Sequence, residues 1–443
     1  MSFYNLILSR LILSVGAIFF GNTYRKNLKL WNQYDTFSEE ELRQIQEKNL
    51  EKLLKYSVTN IPFYQNLRFD ETISPFENLK KFPILTKELL RSESENLVSK
   101  EFNIKDLQKN FSSGSSGVQS FSYSDKKNKF LLQGIQNHWY MWSGYQLGDR
   151  ILQFGISPKR TFAKKLKDLF FRTNYQNAFS LSDSDFEDIY KQLLKKKTKY
   201  SIGYPSAINE FAKYLIKNNL QYPLEGIISL GDKLFPSYEN NFTTAFQNPK
   251  IIDTYGCAEG LMMACKADLP YYYIMSPHVH LEIVDDKGNP VPEGELGSVL
   301  VTCCTNLAQP FIRYKLGDLA IQLPKNQYPK DRQFNYPLLQ KVIGRETDIV
   351  KTPNGKTLIV HSFTGIFEHF PQIKQFKIIQ NEIDSIKIEY IPDENYGFDD
   401  AVLITIETQL NELTGYNLKI FFIKVDSITP TKSGKPQIIV STL

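Results

Sequence analysis

Five short stretches of this chain hold the residue types that handle phosphate, magnesium and ribose. In Phe111-Ser112-Ser113-Gly114-Ser115-Ser116-Gly117, glycines between serines let backbone amides and hydroxyls converge on phosphate oxygens, although the same composition also makes an ordinary surface turn. It is not a Walker A loop. The later Gly-Lys pairs fail as well, because Val350 and Thr429 stand where that motif's first glycine belongs. In Asp253-Thr254-Tyr255-Gly256-Cys257-Ala258-Glu259-Gly260, strand residues run into a Tyr-Gly turn and then an acid. A glutamate there can hold Mg²⁺ bridging nucleotide phosphates while the Tyr255 ring stacks on a base; Glu259 reads equally as an acid opening a helix. In Phe311-Ile312-Arg313-Tyr314-Lys315-Leu316-Gly317-Asp318, the Asp318 carboxylate suits both hydroxyls of a ribose, and Gly317 leaves room for it. The last two stretches are Gly344-Arg345-Glu346-Thr347-Asp348-Ile349-Val350-Lys351, followed by Gly355, and Thr429-Pro430-Thr431-Lys432-Ser433-Gly434-Lys435.

Four cysteines cannot staple a chain of 443 residues, which fits a reducing, cytoplasmic setting. Their clustering is less ordinary: Cys257, Cys265, Cys303 and Cys304 share one stretch with His278 and His280. Thiolates and imidazoles such as Cys265, His278 and Cys303 could build a tetrahedral structural zinc site. Against it, no C-x2-C pair exists, and adjacent Cys303 and Cys304 on a strand would face opposite ways, so buried free thiols are the other reading. The net charge of +5 is mild. The basic run Lys191–Lys199 lacks interleaved aromatics and reads as a solvated helix end, so no nucleic-acid partner is expected.

The elements that must position these residues follow from periodicity. The length implies two or three units. Ser38 and Glu41 form a capping box ahead of an amphipathic helix over 38–57, and further helices are expected at 126–142, 184–197 and 205–219. Short β runs at 151–154, 227–230 and 251–255 lie between them, the alternation of an α/β body. From 279 to 301 a strand, a turn at Asp286-Lys287-Gly288-Asn289 and a second strand predict a small antiparallel β element. Strands at 375–380, 386–391 and 419–425 around short helices predict a small α+β domain. The expected division is an apolar segment at 1–37, a large domain at 38–343 and a small one at 344–443. Arg10 interrupts the apolar residues 1–21, which leaves too short a run to span a bilayer. A helix packed on the body and a helix lying in a membrane interface both fit that segment, the latter giving peripheral membrane contact.

Taken in order, the five stretches resemble the adenylate-forming superfamily of acyl-CoA synthetases, adenylation domains and luciferases. The branch resembled is that of phenylacetate–CoA ligase, including its relatives in capsule and polysaccharide clusters. Ile61-Pro62-Phe63-Tyr64, Gly203-Tyr204-Pro205-Ser206 and Gly231-Asp232-Lys233-Leu234 add to that likeness, which covers about residues 40–440. It implies an α/β plus α+β fold, a large ATP- and acyl-binding domain with a small mobile lid, and ATP-dependent conversion of a small carboxylic acid to its acyl-AMP. The acyl group then passes to CoA or, alternatively, to a carrier protein, amine or sugar hydroxyl; a catalytically silent scaffold of the same fold is the contrasting reading. On this chain the likeness gives Ser112, Ser113, Gly114, Ser115, Ser116 and Gly117 the ATP phosphates. Gly231, Asp232 and Asp253 fall among the ATP- and AMP-binding residues, Tyr255 and Gly256 line the adenine and acyl sites, and Glu259 falls at Mg²⁺. Asp318 takes the ribose, Arg345 ribose or phosphate, Thr347 or Asp348 the hinge, and Lys435 the lid's catalytic ammonium. The chain departs from the usual pattern at Gly117-Val118-Gln119, at Gly231-Asp232 where Gly-Glu is common, and at Thr347 where an acid is common. His138, Trp139, Trp142 and Tyr145 are candidates to line an aromatic acyl pocket.

Overall fold

The computed structural model describes residues 4–5, 8, 22–111, 121–155, 160–178, 181–257, 259–345, 349–354, 357–367, 369–370, 372–394, 397–416, 418–429 and 438–443, with only the backbone at Phe111, Phe121, Ala163, Arg345, Thr357, Ile359, His361, Thr364 and Gly365. The phosphate loop Ser112–Gly117, the hinge pair Thr347 and Asp348, and Lys435 lie outside these residues.

The chain opens with α1 (Thr23–Tyr34) and α2 (Glu39–Asn60). The capping box is present: Ser38 Oγ accepts from the Glu41 amide, and the Glu41 carboxylate accepts from the Ser38 amide at 2.8 Å. Two short helices, α3 (Pro75–Leu79) and α4 (Lys87–Ser92), precede the hairpin of β1 (Gln108–Phe111) and β2 (Phe121–Ser124). An α/β alternation then runs α5 (Lys126–Trp142), β3 (Ile151–Gly155), α6 (Phe162–Phe170), β4 (Thr173–Asn177), α7 (Asp183–Lys196), β5 (Tyr200–Gly203), α8 (Pro205–Lys217), β6 (Gly226–Ser229), α9 (Pro236–Phe246) and β7 (Lys250–Cys257). Prolines at the first turns of α8 and α9 cost no hydrogen bond there and preset the helical angle.

After β7 the rest of the large domain is strands apart from a 3-10 turn at Lys325–Gln327: β8 (Leu261–Lys266), β9 (Tyr272–Ile274), β10 (Val279–Val284), β11 (Leu296–Cys303), β12 (Tyr314–Gln322) and β13 (Leu338–Arg345). Strands β3 to β13 form one 11-stranded sheet in the order β10-β11-β12-β13-β9-β8-β7-β6-β5-β3-β4. β4, β3, β5, β6 and β7 are parallel, and every pairing from β7 to β10 is antiparallel. The expected β10–β11 hairpin is present, but it is the far edge of the large sheet and not a separate element. Near-continuous apolar runs such as Ile227-Ile228 and Ile251-Ile252 are what a sheet covered on both faces requires.

The small carboxy-terminal domain starts with the β14 (Ile349–Lys351) and β15 (Thr357–Ile359) ladder and α10 (Val360–Phe367). β16 (Ile373–Glu382), β17 (Ser385–Pro392), α11 (Asp400–Thr414), β18 (Lys419–Lys424) and β19 (Ile439–Ser441) follow, the sheet order being β18-β17-β16-β19. Phe363, Ile378, Ile388, Ile406 and Leu410 are its core, and Phe235 from the large domain packs against it. The architecture is therefore a large α/β domain with a small α+β domain.

At the amino terminus, Leu8 and Asn5 are buried, Asn5 Nδ2 donates to Asp149 Oδ1 at 2.8 Å, and the Tyr4 hydroxyl donates to the Phe170 carbonyl at 2.7 Å. α1 packs on α5, where a Cβ at Gly134 would stand only 3.0 Å from Asn27 Cβ. Among the described residues no helix is long and apolar enough to cross a membrane.

Candidate active site

The loops leaving the carboxyl ends of parallel strands β5, β6 and β7 lie side by side, the place where open α/β sheets bind ligands. Ser206, just past β5, donates to Asp232 Oδ2 past β6. Gly231 between them has φ +93°, and a Cβ there would meet the Tyr204 ring at 2.7 Å, so only glycine lets these two loops touch. Lys233 Nζ then donates to the Ile343 carbonyl at 2.8 Å, tying this loop to the last strand before the small domain.

β7 carries Tyr255, and β12 carries Asp318. The Tyr255 hydroxyl donates to Asp318 Oδ2 at 2.9 Å. Across the β12–β13 ladder Asp318 is the register partner of Arg345. Gly317 has φ +78°, and a Cβ there would find nothing within 4 Å, so the carboxylate sits on a strand whose next position opens onto free space. Glu259 follows β7 and is buried. Its Oε1 accepts from the Tyr314 hydroxyl at 3.1 Å, and the Cys257 thiol, pushed up by burial and by the adjoining charge, hydrogen-bonds the same carboxylate.

Tyr314 is held by an unusual neighbour. Arg313 is buried with φ +48°, costly for a side-chain-bearing residue. Its guanidinium engages Glu282 at 3.2 Å and the carbonyls of Phe82 and Gly288, while its amide donates to Thr302 Oγ1. That web fixes the start of β12 and through it the Tyr314–Glu259 contact. The sequence motif contains Arg313 and Tyr314 without marking a role for either; their closeness in the chain to Gly317 and Asp318 is the signal that was available.

Glu259 fits a divalent cation. Its described partners, a phenol and a thiol, are both neutral, and a buried carboxylate without a cation is poorly stabilised. Asp253 is placed differently from its expected nucleotide contact. It is buried beneath the site, and its oxygens accept from the Ser229 hydroxyl at 2.8 Å and from the Tyr272 hydroxyl, with burial raising its pKa to about 6. Gly256 lies in β7, where an added Cβ would meet the Leu261 carbonyl at 2.9 Å. The proposed acyl aromatics are also core residues: His138 Nε2 and Trp142 Nε1 both engage Asp35 Oδ2, at 2.9 and 3.1 Å, and Tyr336 bonds Asp35 Oδ1. Trp142 stacks on Phe334, and Trp139 and Tyr145 are buried in the same cluster.

The three zinc candidates do not assemble. His278 Nδ1 and Cys303 Sγ share Thr305 Oγ1, at 2.8 and 3.6 Å, whereas Cys265 belongs to another core cluster. Among the described residues no group of three His, Cys, Asp or Glu side chains is placed to hold a metal ion.

Against solved structures, the chain superposes on 2-hydroxyisobutyryl-CoA ligase in the postadenylation state with a TM-score of 0.72. The match covers 92% of this chain and 91% of that one at 16% identity. The fold is that of the adenylate-forming CoA ligases. Residues 350–442 match the model of the CapK C-terminal domain. Among curated proteins, Protein CapK of Staphylococcus aureus is 23% identical over 99% of this chain and 98% of its own length. Phenylacetate-coenzyme A ligase of Pseudomonas putida is 31% identical over 104 residues, 22% of each chain. The family resemblance carried by the five sequence stretches thus agrees with both kinds of relative. The same 2-hydroxyisobutyryl-CoA ligase in its thioesterification state, with CoA, superposes less well, at a TM-score of 0.59.

Proposed function

We propose that this chain uses ATP to activate a carboxylic acid as its acyl-AMP and then passes the acyl group to CoA. The observation that carries this reading is the pair of carboxylates at one end of the sheet: Asp318, hydrogen-bonded by Tyr255 and in register with Arg345, and the buried Glu259. In the first step a substrate carboxylate oxygen attacks the α-phosphorus of ATP, the acyl-phosphate bond forms, the α–β bridge bond breaks and pyrophosphate leaves. Two anions must meet, so the work is positioning and charge neutralisation. Mg²⁺ held at Glu259 would supply positive charge to the phosphates. Asp318 orients the ribose, Arg345 reaches ribose or phosphate, Ser112–Gly117 cradle the phosphates, and Lys435 brings its ammonium to the reacting oxygens. Each such donor is worth about 2.7–4 kcal/mol, roughly 10²–10³ in rate. In the second step a thiolate attacks the acyl carbonyl and AMP leaves. The better superposition on a postadenylation state than on a thioesterification state is consistent with a small domain poised after the first of these.

A second reading keeps the first step and changes the acceptor to a carrier protein, an amine or a sugar hydroxyl. It is favoured by the whole-length match to Protein CapK, against a CoA-ligase sequence match confined to 104 residues. A silent scaffold would have no need to retain Glu259, Asp318, Arg345 and Lys435 together. The test is ATP–pyrophosphate exchange by the full chain across aryl, fatty and hydroxy acids, followed by CoA, carrier proteins and amines with the responsive acid. Exchange with one acid class supports activation; consumption of CoA, or of another acceptor, separates the two readings. No exchange across the panel would leave the scaffold.

A further inference from the structure

Helix α6, in the β3–β4 crossover at the edge of the sheet, has no described side chain that is buried. Phe162, Leu166, Leu169 and Phe170 recur at helical spacing and fall on one face, and Phe162 and Leu169 are 82% and 70% exposed. Lys164, Lys165 and Lys167 occupy the rest of its surface, and Arg160 just before it is paired with Asp168. An exposed apolar stripe between lysines is an unfavourable arrangement in water.

The charge continues beyond the helix. The Phe170 carbonyl accepts from Tyr4, and the Arg172 guanidinium lies 4.5 Å from the centre of the Tyr4 ring. Arg172 lines a cavity of about 390 Å³ together with Arg150, Lys196, Lys197 and Lys199. Its acidic lining is Asp149, which accepts from Asn5 and the Gln146 amide, and Glu225, which pairs with Lys199 at 2.7 Å. Five cationic side chains thus face two carboxylates, both already engaged. Asn5 lines the same cavity.

We propose that α6 and the adjoining basic cavity form a docking surface for an anionic lipid bilayer. The stripe Phe162, Leu166, Leu169 and Phe170 lies in the headgroup–acyl boundary, the helix lysines meet the surface charge, and Arg150, Arg172, Lys196 and Lys197 receive lipid phosphate. Apolar burial and lysine attraction to anionic headgroups act together in such helices, and neither alone gives stable attachment. The surface places the chain at a membrane, and it stands independently of the proposed chemistry.

Sedimentation of the full chain with vesicles of phosphatidylcholine alone, and with about a third phosphatidylglycerol, tests this. The wild type partitions at least about tenfold more strongly onto the anionic vesicles. Phe162→Asp with Leu169→Asp removes that partitioning although residues 1–21 are intact, and circular dichroism shows the fold retained. Arg150→Glu with Lys197→Glu abolishes the preference for anionic over neutral vesicles. Equal binding to both vesicle types, or undiminished binding by the Phe162/Leu169 variant, overturns the proposal. So does a wild type that forms a dimer the Phe162/Leu169 variant cannot form while binding no vesicles, because the stripe would then be a contact between copies.

Discussion

Asp318 stands opposite Arg345 across the β12–β13 ladder, and Tyr255 from β7 donates a hydrogen bond to the same carboxylate at 2.9 Å. Asp318 within β12 and Arg345 at the end of β13, on either side of the connecting loop, are thereby brought to one point of the sheet. In the proposed mechanism Asp318→Ala removes the ribose acceptor. Each charge-assisted hydrogen bond lost costs about 1.5–3 kcal/mol, roughly ten- to hundredfold. The expected outcome is a KM for ATP raised at least that far, with unchanged thermal stability. An unaltered KM would separate Asp318 from nucleotide binding.

Tyr255→Phe probes the partner. It keeps the ring and deletes only the hydroxyl, so it leaves Asp318 one donor short. A rise in the KM for ATP of about three- to tenfold is expected, smaller than that of Asp318→Ala, since a neutral hydrogen bond is worth about 0.5–1.5 kcal/mol.

Glu259→Gln separates function from stability. Gln retains an acceptor for Tyr314 but carries no charge. Pyrophosphate exchange should fall by roughly 10²–10³. Without nucleotide, relieving an anion whose described partners are neutral should raise Tm by about 2 °C, on the order of 1 kcal/mol. A fall in Tm would mean that Glu259 is a structural carboxylate.

How much of this was legible in the sequence differs between elements. Helices and parallel strands were, because burial imposes periods: α5 spans Lys126–Trp142, the stretch its apolar spacing predicts, and β6 and β7 follow their isoleucine pairs. The span of the large sheet was not, because β13 closes onto β9 by backbone hydrogen bonds between segments far apart in the chain. Asp318 and Glu259 could be named from their motifs as candidates for the site. The donors to Glu259 were not, because Tyr314 and Cys257 reach it only through tertiary packing. The setting of Asp253 was not legible for a related reason: a strand-end acid looks alike in sequence whether it faces a ligand or accepts from Ser229 and Tyr272. The aromatics at 138–145 were likewise ambiguous until Asp35 gathered His138 and Trp142 into the core.

His278 gives the acid limb of stability. It is fully buried, and burial lowers its pKa to about 3 from 6.5. Below pH 6.5 the unfolded chain takes up a proton that the folded chain refuses until near pH 3, so stability falls as pH falls. At pH 5 this one residue should cost about 2 kcal/mol relative to pH 7.5. Denaturant unfolding at both pH values should show that difference shrinking in His278→Gln; an identical pH dependence in the variant would contradict it.

Lys435→Ala should divide the two half-reactions. Exchange, which needs the ammonium, should drop by roughly 10²–10³. Transfer from preformed acyl-AMP to the acceptor should stay within about threefold, because an interaction made only in the first transition state is missing. Equal loss in both steps would make Lys435 a general binding residue.

Equilibrium dialysis of the folded full-length chain against Mg²⁺-ATP is the most direct measurement of all. One saturable site per chain, weakened at least about tenfold in Asp318→Ala, is the predicted result. A folded chain that binds no ATP, or binds it equally well without Asp318, would contradict the account at its centre.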